Sequence, residues 1–418
     1  MAQKHSFKQM VVALKQPPFF YSLLMGFASG MPLFLTSRTM QFWLKEAGVD
    51  LTVIGIFAIV GLPYTLKFLW APFLDRFTLP FLGHRKGWLA FSQLALTVLI
   101  CGLGLINPAH HLWGFAVMAL LVAFFSATQD IVVDAYRLET LKDEELGLGT
   151  ALYTYGYKIA LLITGALALL LADHMAWKYV YLIMAAIMGL NLIFTIKAPE
   201  PKTGNIKPKT MAEALVLPFK EFFNRKSAIV ILLFIVLYKV GDNMAGNMLA
   251  PFYLDRGYTK TEIAIIAKTI APTLSWVGPI LGGSIVYFFG IWGSLWIAGF
   301  LQAASTFGFT FVALAEKNLW LYGAVVSFED ITAAVGSIAF VSFMSNTASR
   351  KFTATQYALL SSLAGVPRVI IGTPTGYLAK QMGWSSYFLF CTLAAIPGML
   401  LLLYLRRLNL GEKIDEKV

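Results

Sequence analysis

A bilayer interior admits only helices and closed barrels, because every backbone N–H and C=O within it must find a partner in the protein. That condition governs this 418-residue chain, which is broken into long apolar runs joined by short polar turns. A helix needs about 20 mostly apolar residues to cross the hydrocarbon. Twelve runs predict such spans: 19–43, 54–74, 88–106, 112–134, 148–172, 178–197, 228–253, 262–289, 292–314, 319–344, 354–379 and 384–406. The run 262–289 contains Pro272 and Pro279 and reads as one kinked helix. Only 13% of residues are charged and 58% are hydrophobic, against about 25% charged in a soluble domain. A soluble globular protein and a disordered scaffold are excluded. The net charge of +11 does not mark a nucleic-acid binder, because the basic residues sit in short segments between the runs. Cys101 and Cys391 fall inside apolar runs and read as small core residues, so no disulfide framework or thiolate metal site is expected. The first run is too long for a signal-peptide core and contains no small-residue cleavage site.

Orientation follows from the basic residues. Segments on the amino-terminal side of the membrane carry 21 of them and the opposite side six. The positive-inside rule therefore places both termini in the cytoplasm. The hydrophilic stretch 198–226, rich in proline and lysine, divides two six-span halves at 1–197 and 227–418. It contains a possible amphipathic piece from Met211 to Phe223. An offset of 209 aligns Gly48 with Gly257, Thr52 with Thr261, Ile54 with Ile263, Ala58 with Ala267 and Pro63 with Pro272. Gln129-Asp130-Ile131 likewise matches Glu329-Asp330-Ile331 at an offset of 200. A parallel repeat with both termini inside describes a transporter architecture whose site is expected between the halves, near the bilayer midplane.

An ionisable side chain in the hydrocarbon costs about 2.5–3.5 kcal/mol on the insertion scale, so each one needs a reason. The set is Arg38, Lys67, Asp130, Asp134, Lys158, Lys239, Asp242, Lys268, Glu329, Asp330 and Arg368. Spans three, six, nine and twelve carry none in their interiors, which predicts that every third helix faces lipid. Ser126, Asp130 and Asp134 lie four residues apart on one face of span four. A carboxyl deprived of water favours its protonated form, and a proton carrier needs that property. Asp130, Asp134 and Glu329 are therefore the expected proton-coupling residues, with Asp130 first. The bland alternative for Asp134 is a helix-end ion pair. Lys239, Asp242 and Asn243 share a stripe of span seven. With Arg38, Lys158 and Arg368 they are candidates for binding an anionic substrate, against internal ion pairing such as Lys239 with Asp242. Gln41 of span one and Tyr155 of span five add polar and aromatic surface. Gly26, Gly30 and Gly156 read first as close helix packing. Neither a Walker sequence nor HExxH occurs, and no metal or cofactor is expected.

The turn after span two reads Ala71-Pro-Phe-Leu-Asp75-Arg76 and then Gly83-His-Arg85-Lys86. An acid at a helix end followed by a basic cluster suggests a gate, with Asp75, Arg76, Arg85 and Lys86 as its charges. The turn after span eight, Phe289-Gly290-Ile291-Trp292, lacks them.

Three stretches are familiar together: Ser126-Ala-Thr-Gln129-Asp130-Ile-Val-Val-Asp134-Ala-Tyr136-Arg137, Gly26-Phe-Ala-Ser-Gly30-Met-Pro32-Leu, and Lys67-Phe-Leu-Trp70-Ala-Pro72-Phe-Leu-Asp75-Arg76. They resemble the AmpG muropeptide permease family of the major facilitator superfamily, over essentially the whole chain. The segment Phe77 to Leu82 is an insertion relative to the superfamily's usual gate motif. The resemblance implies an all-α fold of twelve transmembrane helices in two six-helix halves. It implies no enzyme. The implied function is proton-coupled import of GlcNAc-1,6-anhydroMurNAc and its peptides across the bacterial inner membrane, by alternating access. Cell-wall recycling and, indirectly, β-lactamase induction depend on such import. The family motif covers Gly30, Gln129, Asp130 and Asp134. The implied partners are the sugar peptide, protons and lipid, with the protein a monomer and no nucleic acid involved. Import of another large organic anion, such as acetyl-coenzyme A, and a non-transporting membrane sensor remain the alternatives.

Overall fold

A computed structural model describes residues 10, 14–201, 210–225, 227–349, 351–370 and 374–407. The described residues are helical throughout, with polar turns between helices and no strand. Nine helices among them are long and apolar enough to cross a membrane. Span one is Pro17–Glu46, span three His84–Leu105, span four Leu112–Thr140, span five Asp143–Ala172 and span six Trp177–Lys197. Span seven is Ala228–Asp255, span ten Leu319–Thr347 and span twelve Trp384–Arg407. The ninth, Thr261–Leu314, leaves helical geometry at Gly290 (φ 69°) and supplies spans eight and nine. Span two is a chain of short turns between Leu51–Ile56 and Ala71–Arg76. Span eleven is Thr353–Ile370 followed by Thr375–Met382. Span two falls short of the nine because it is interrupted, and the described helices are consistent with the twelve expected runs.

The sequence repeat has a structural counterpart. Gly48 and Gly257 both adopt positive φ, at 78° and 75°. Each ends its helix with the same pair of bonds: Gly48 N–H to Lys45 O (3.1 Å) and Val49 N–H to Leu44 O (3.0 Å), then Gly257 N–H to Leu254 O (2.9 Å) and Tyr258 N–H to Tyr253 O (3.1 Å). This is the glycine-terminated cap that satisfies the last carbonyls of a helix. The following helix is irregular at the same register in both halves: a tight 3-10 segment at Phe57–Gly61 and a wide π segment at Ile266–Ile270.

By packing, the chain forms two compact units: 7–218 with 346–362, and 219–345 with 363–418. The start of span eleven therefore belongs to the N-terminal unit. In that unit spans one and five come so close that a Cβ on Gly26 would lie 2.0 Å from the Tyr153 carbonyl oxygen. One on Gly156 would lie 1.9 Å from that of Leu23. Small residues permit this approach, which in lipid replaces the hydrophobic drive of water. A π segment at Ile163–Leu167 adds to the contact, since the Thr164 carbonyl accepts from the Thr39 hydroxyl at 2.5 Å. The linker helix Met211–Phe223 buries Ala214 and Phe222 and leaves Leu215, Val216 and Phe223 exposed. Its Pro218 carbonyl accepts from the Gln356 side chain at 3.0 Å.

Burial does not follow the three-fold charge pattern: span three is 50% buried while span five, which holds Lys158, is 22% buried. Accessible surface counts faces that meet water-filled space together with those that meet lipid, so a span free of charge need not be the more exposed.

Candidate functional site

Charged side chains gather at three places. The first is the turn after span two. Arg85 Nη2 donates to Asp75 Oδ1 at 2.8 Å and to Glu139 Oε1 at 2.6 Å, and its Nε donates to Glu139 at 3.0 Å. These side chains are 4%, 2% and 1% exposed. Asp75 also accepts from the Thr355 N–H (2.8 Å), the Thr355 hydroxyl (2.7 Å) and the Ala354 N–H (3.3 Å). It thereby caps the first turn of Thr353–Ile370, where free N–H groups and the helix dipole favour an anion. Thr353 bonds Glu139 and accepts from Arg85. The insertion before span three closes through consecutive positive φ angles at Leu82 (66°) and Gly83 (91°). Trp88 Nε1 donates to the Phe77 carbonyl at 2.7 Å. Glu200 then caps span three, accepting from Arg85 N–H (2.8 Å) and Lys86 N–H (2.9 Å).

Of the four expected gate charges, Asp75 and Arg85 meet. Arg76 does not join them: its guanidinium lies over the Phe77 ring. Lys86 turns to the Ala198 carbonyl at 3.1 Å. Glu139, Thr353 and Thr355 were missed by the sequence reading. Span four was ended at 134, whereas the helix runs on to Thr140. Arg137, counted among the flanking basic residues, is buried at 2% exposure.

The second gathering is the interior of the N-terminal unit. Asp134 pairs with Arg137 Nη2 at 3.1 Å and Lys67 Nζ at 3.7 Å. Arg137 Nη2 also reaches Tyr357 Oη at 3.4 Å, and its guanidinium lies over the Tyr153 ring at 4.9 Å. Asp130 faces Ser29, Lys67 and Asp134. Two acids are thus balanced by two cations. Around them Ser29 Oγ, Tyr64 Oη, Ser126 Oγ, both amide atoms of Gln129 and Asp130 Oδ1 are buried without a hydrogen-bond partner. Groups of this kind call for water or a ligand.

The third gathering is the interior of the C-terminal unit. Lys239 Nζ pairs with Asp242 at 3.2 Å, and Gln302 Nε2 donates to Asp242 at 3.2 Å. Glu329 lies near Asp242 and accepts a hydrogen bond from Ser305. Thr332 is placed to donate to Ser305 at 3.0 Å and to the Glu329 carbonyl at 3.1 Å. Among the described residues, Lys239 is the cation paired with these acids. Gln302 and Ser305 belong to a span without charges, which is why a search for ionisable residues passed them by.

The remaining candidates are more dispersed. Gly30 faces span five, with the Tyr157 carbonyl 2.7 Å from where its Cβ would stand. The missing side chain lets the two helices pack closely there. Arg38 and Gln41 are exposed, with Arg38 over the Phe34 ring. Tyr155, Lys158 and Asn243 are partly buried. The side chain of Arg368 lies outside the described residues. Among the described residues, no cluster of three His, Cys, Asp or Glu could hold a metal ion.

The pattern of the Major Facilitator Superfamily matches residues 19–372. The chain belongs to that superfamily. It is 40% identical to the anhydromuropeptide permease of Escherichia coli strain K12, over 96% of this chain and 82% of that one. It is 36% identical to putative transporter AmpG 4 of Rickettsia conorii, over 92% and 96% respectively. Among solved structures it resembles FucP in its outward conformation (TM-score 0.70, 13% identity, 93% of this chain and 98% of that one). It also resembles the proton:xylose symporter XylE (TM-score 0.66, 11% identity, 94% and 95%). The fold is therefore the all-α major facilitator fold, and the chain is a multi-pass membrane transporter.

Proposed function

We propose that this transporter imports anhydromuropeptides, GlcNAc-1,6-anhydroMurNAc and its peptides, from periplasm to cytoplasm by alternating access driven by the proton gradient. The observation that carries the reading is the 40% identity to an anhydromuropeptide permease, sustained over 96% of the chain. The chemistry of the interior supports it. A sugar peptide offers hydroxyls, amides and carboxylates, and the N-terminal unit holds a set of buried hydroxyl and amide groups still short of partners, with Tyr153 and Tyr157 beside them. Aromatic rings present an apolar body to a pyranose face. Gln129, Tyr155 and Lys158 of that unit, with Arg38 and Gln41, are the substrate-binding residues of this reading, and Lys239, Asp242, Asn243 and Arg368 are their counterparts in the other unit.

The proton step belongs to the buried acids Asp130, Asp134 and Glu329. Their settings differ: Asp134 is held by two cations, Asp130 faces one cation and one acid, and Glu329 faces an acid. The Asp75–Arg85–Glu139 cluster closes the cytoplasmic ends of the helices and must loosen when that side opens. The protein works as a monomer in the bacterial inner membrane, with both termini in the cytoplasm.

Uptake of labelled GlcNAc-anhydroMurNAc by proteoliposomes, challenged with a panel of unlabelled competitors, tests the substrate. Anhydromuropeptides should compete and acetyl-coenzyme A should not. Competition by acetyl-coenzyme A alone would move the protein to another class of organic anion.

A further inference from the structure

The polar linker between spans six and seven contains the helix Met211–Phe223, whose sides are unlike. At about 3.6 residues per turn, Ala214, Pro218 and Phe222 fall on one side, and all three are buried. Leu215, Phe219, Phe223 and Val216 form the adjoining stripe, about 100° wide. Leu215 is 44% exposed, Val216 57% and Phe223 53%, with Phe219 half-buried. Lys220 and Asn224 come next round the helix and are exposed.

The helix is preformed and its rotation is fixed. Its first turn is capped reciprocally, with Glu213 N–H donating to Thr210 Oγ1 at 3.1 Å and Thr210 N–H to the Glu213 carboxylate at 3.4 Å. Midway, the Gln356 side chain donates to the Pro218 carbonyl at 3.0 Å. At its end Arg225 pairs with Glu221 at 3.4 Å. The apolar stripe is thereby kept outward, and a contiguous exposed patch of this kind marks a surface with a partner.

The chain on either side identifies that partner. Span seven begins at Ala228, five residues after Phe223, and that length reaches at most about 17 Å. Ile229 and Leu233 on its first turns are 68% and 47% exposed and offer an apolar face to lipid. The stripe therefore leads directly into the lipid-facing surface, at the edge of the membrane. Charge points the same way. Residues 197–226 carry seven basic side chains against three acidic ones. The acids are engaged within the protein: Glu200 at the start of span three, Glu213 in the cap and Glu221 with Arg225. A basic segment with an apolar face suits the interface of an anionic membrane.

We propose that Met211–Phe223 lies along the cytoplasmic surface of the bilayer, with Leu215, Val216, Phe219 and Phe223 in the upper acyl region and Lys220 among headgroup phosphates, and that anionic phospholipid is its partner. The inference goes beyond the transport activity and takes from that reading only the cytoplasmic side of the linker.

The test uses the full chain in vesicles of phosphatidylethanolamine and phosphatidylglycerol. Cys101→Ala and Cys391→Ala clear the background, and a nitroxide is attached through Val216→Cys or Asn224→Cys. Oxygen concentrates among acyl chains and a nickel chelate stays in water, so the ratio of their collisions with the label reports its depth. That ratio should be about threefold or more higher at 216 than at 224. At 216 it should fall by about half or more when phosphatidylcholine replaces both lipids. Equal ratios at the two positions overturn the proposal, as does a label at 216 shielded from both reagents, which would mark a protein partner or a second copy. A ratio at 216 indifferent to lipid charge overturns the choice of anionic lipid. Should the cysteine replacements prevent folding, the wild type decides. A phospholipid carrying a diazirine high on its acyl chain should label 211–223 on irradiation as it labels span seven, and labelling of span seven alone overturns the proposal. Reaction of the Asn224→Cys thiol with an impermeant maleimide added to intact cells would refute the cytoplasmic placement itself, a distinct outcome.

Discussion

Both units hold buried acids in the membrane interior, yet at positions of the repeat that do not match and in different surroundings: Asp130 and Asp134 share span four, whereas Asp242 is on span seven and Glu329 on span ten. In the N-terminal unit Asp134 pairs with Lys67 and Arg137, and Asp130 faces Lys67 and Asp134. In the C-terminal unit Asp242 pairs with Lys239, and Glu329 is hydrogen-bonded to Ser305. The ends of the units differ as well. The turn after span two carries the Asp75–Arg85–Glu139 cluster, whereas the corresponding turn after span eight is a single glycine break at Gly290. Among the described residues, the N-terminal unit is thus the one fastened by the denser set of buried ion pairs.

This contrast can be broken in several ways. The largest stability effect is expected from Arg85→Gln, which leaves two buried carboxylates without their cation and should cost about 3–5 kcal/mol. Thermal unfolding of the purified protein checks it, and an unchanged midpoint would dissolve the idea of a fastened N-terminal unit. Next comes Gly156→Val, whose side chain has no space against the Leu23 carbonyl. A loss of about 1–3 kcal/mol is expected in the same assay. Asp130→Asn sharpens the comparison between the acids themselves. It should abolish accumulation driven by the pH gradient, a loss of about tenfold or more, while retaining some exchange. Unchanged gradient-driven accumulation by this variant would take the proton step away from Asp130. The smallest effect belongs to Arg76→Ala, since Arg76 forms no ion pair among the described residues, and the variant should stay within about 0.5 kcal/mol of wild type.

How far the sequence revealed this depends on the kind of signal. Span positions were legible because a bilayer demands continuous apolar length, and the repeat was legible at Gly48 and Gly257 because only a few residues tolerate the backbone angle that ends those helices. Asp75 and Arg85 were visible as charges at a helix end. Glu139 was hidden by the assumption that span four stops where apolar residues thin out; buried ion pairs let the helix continue to Thr140. Thr353 and Thr355 reach Asp75 only through tertiary packing, and no local pattern announces that. Asp242 and Glu329 were each noticed, but as members of separate groups, substrate anchor and proton carrier. Their nearness depends on how spans seven and ten pack, and Gln302 and Ser305 are uncharged residues common in helix interiors.

The most direct measurement is accumulation of labelled GlcNAc-anhydroMurNAc in proteoliposomes, with the pH gradient and the membrane potential imposed separately. The account predicts accumulation above equilibrium whenever the outside is more acidic, and its collapse when the pH gradient is dissipated. Equilibration to the same level with and without a gradient would contradict it.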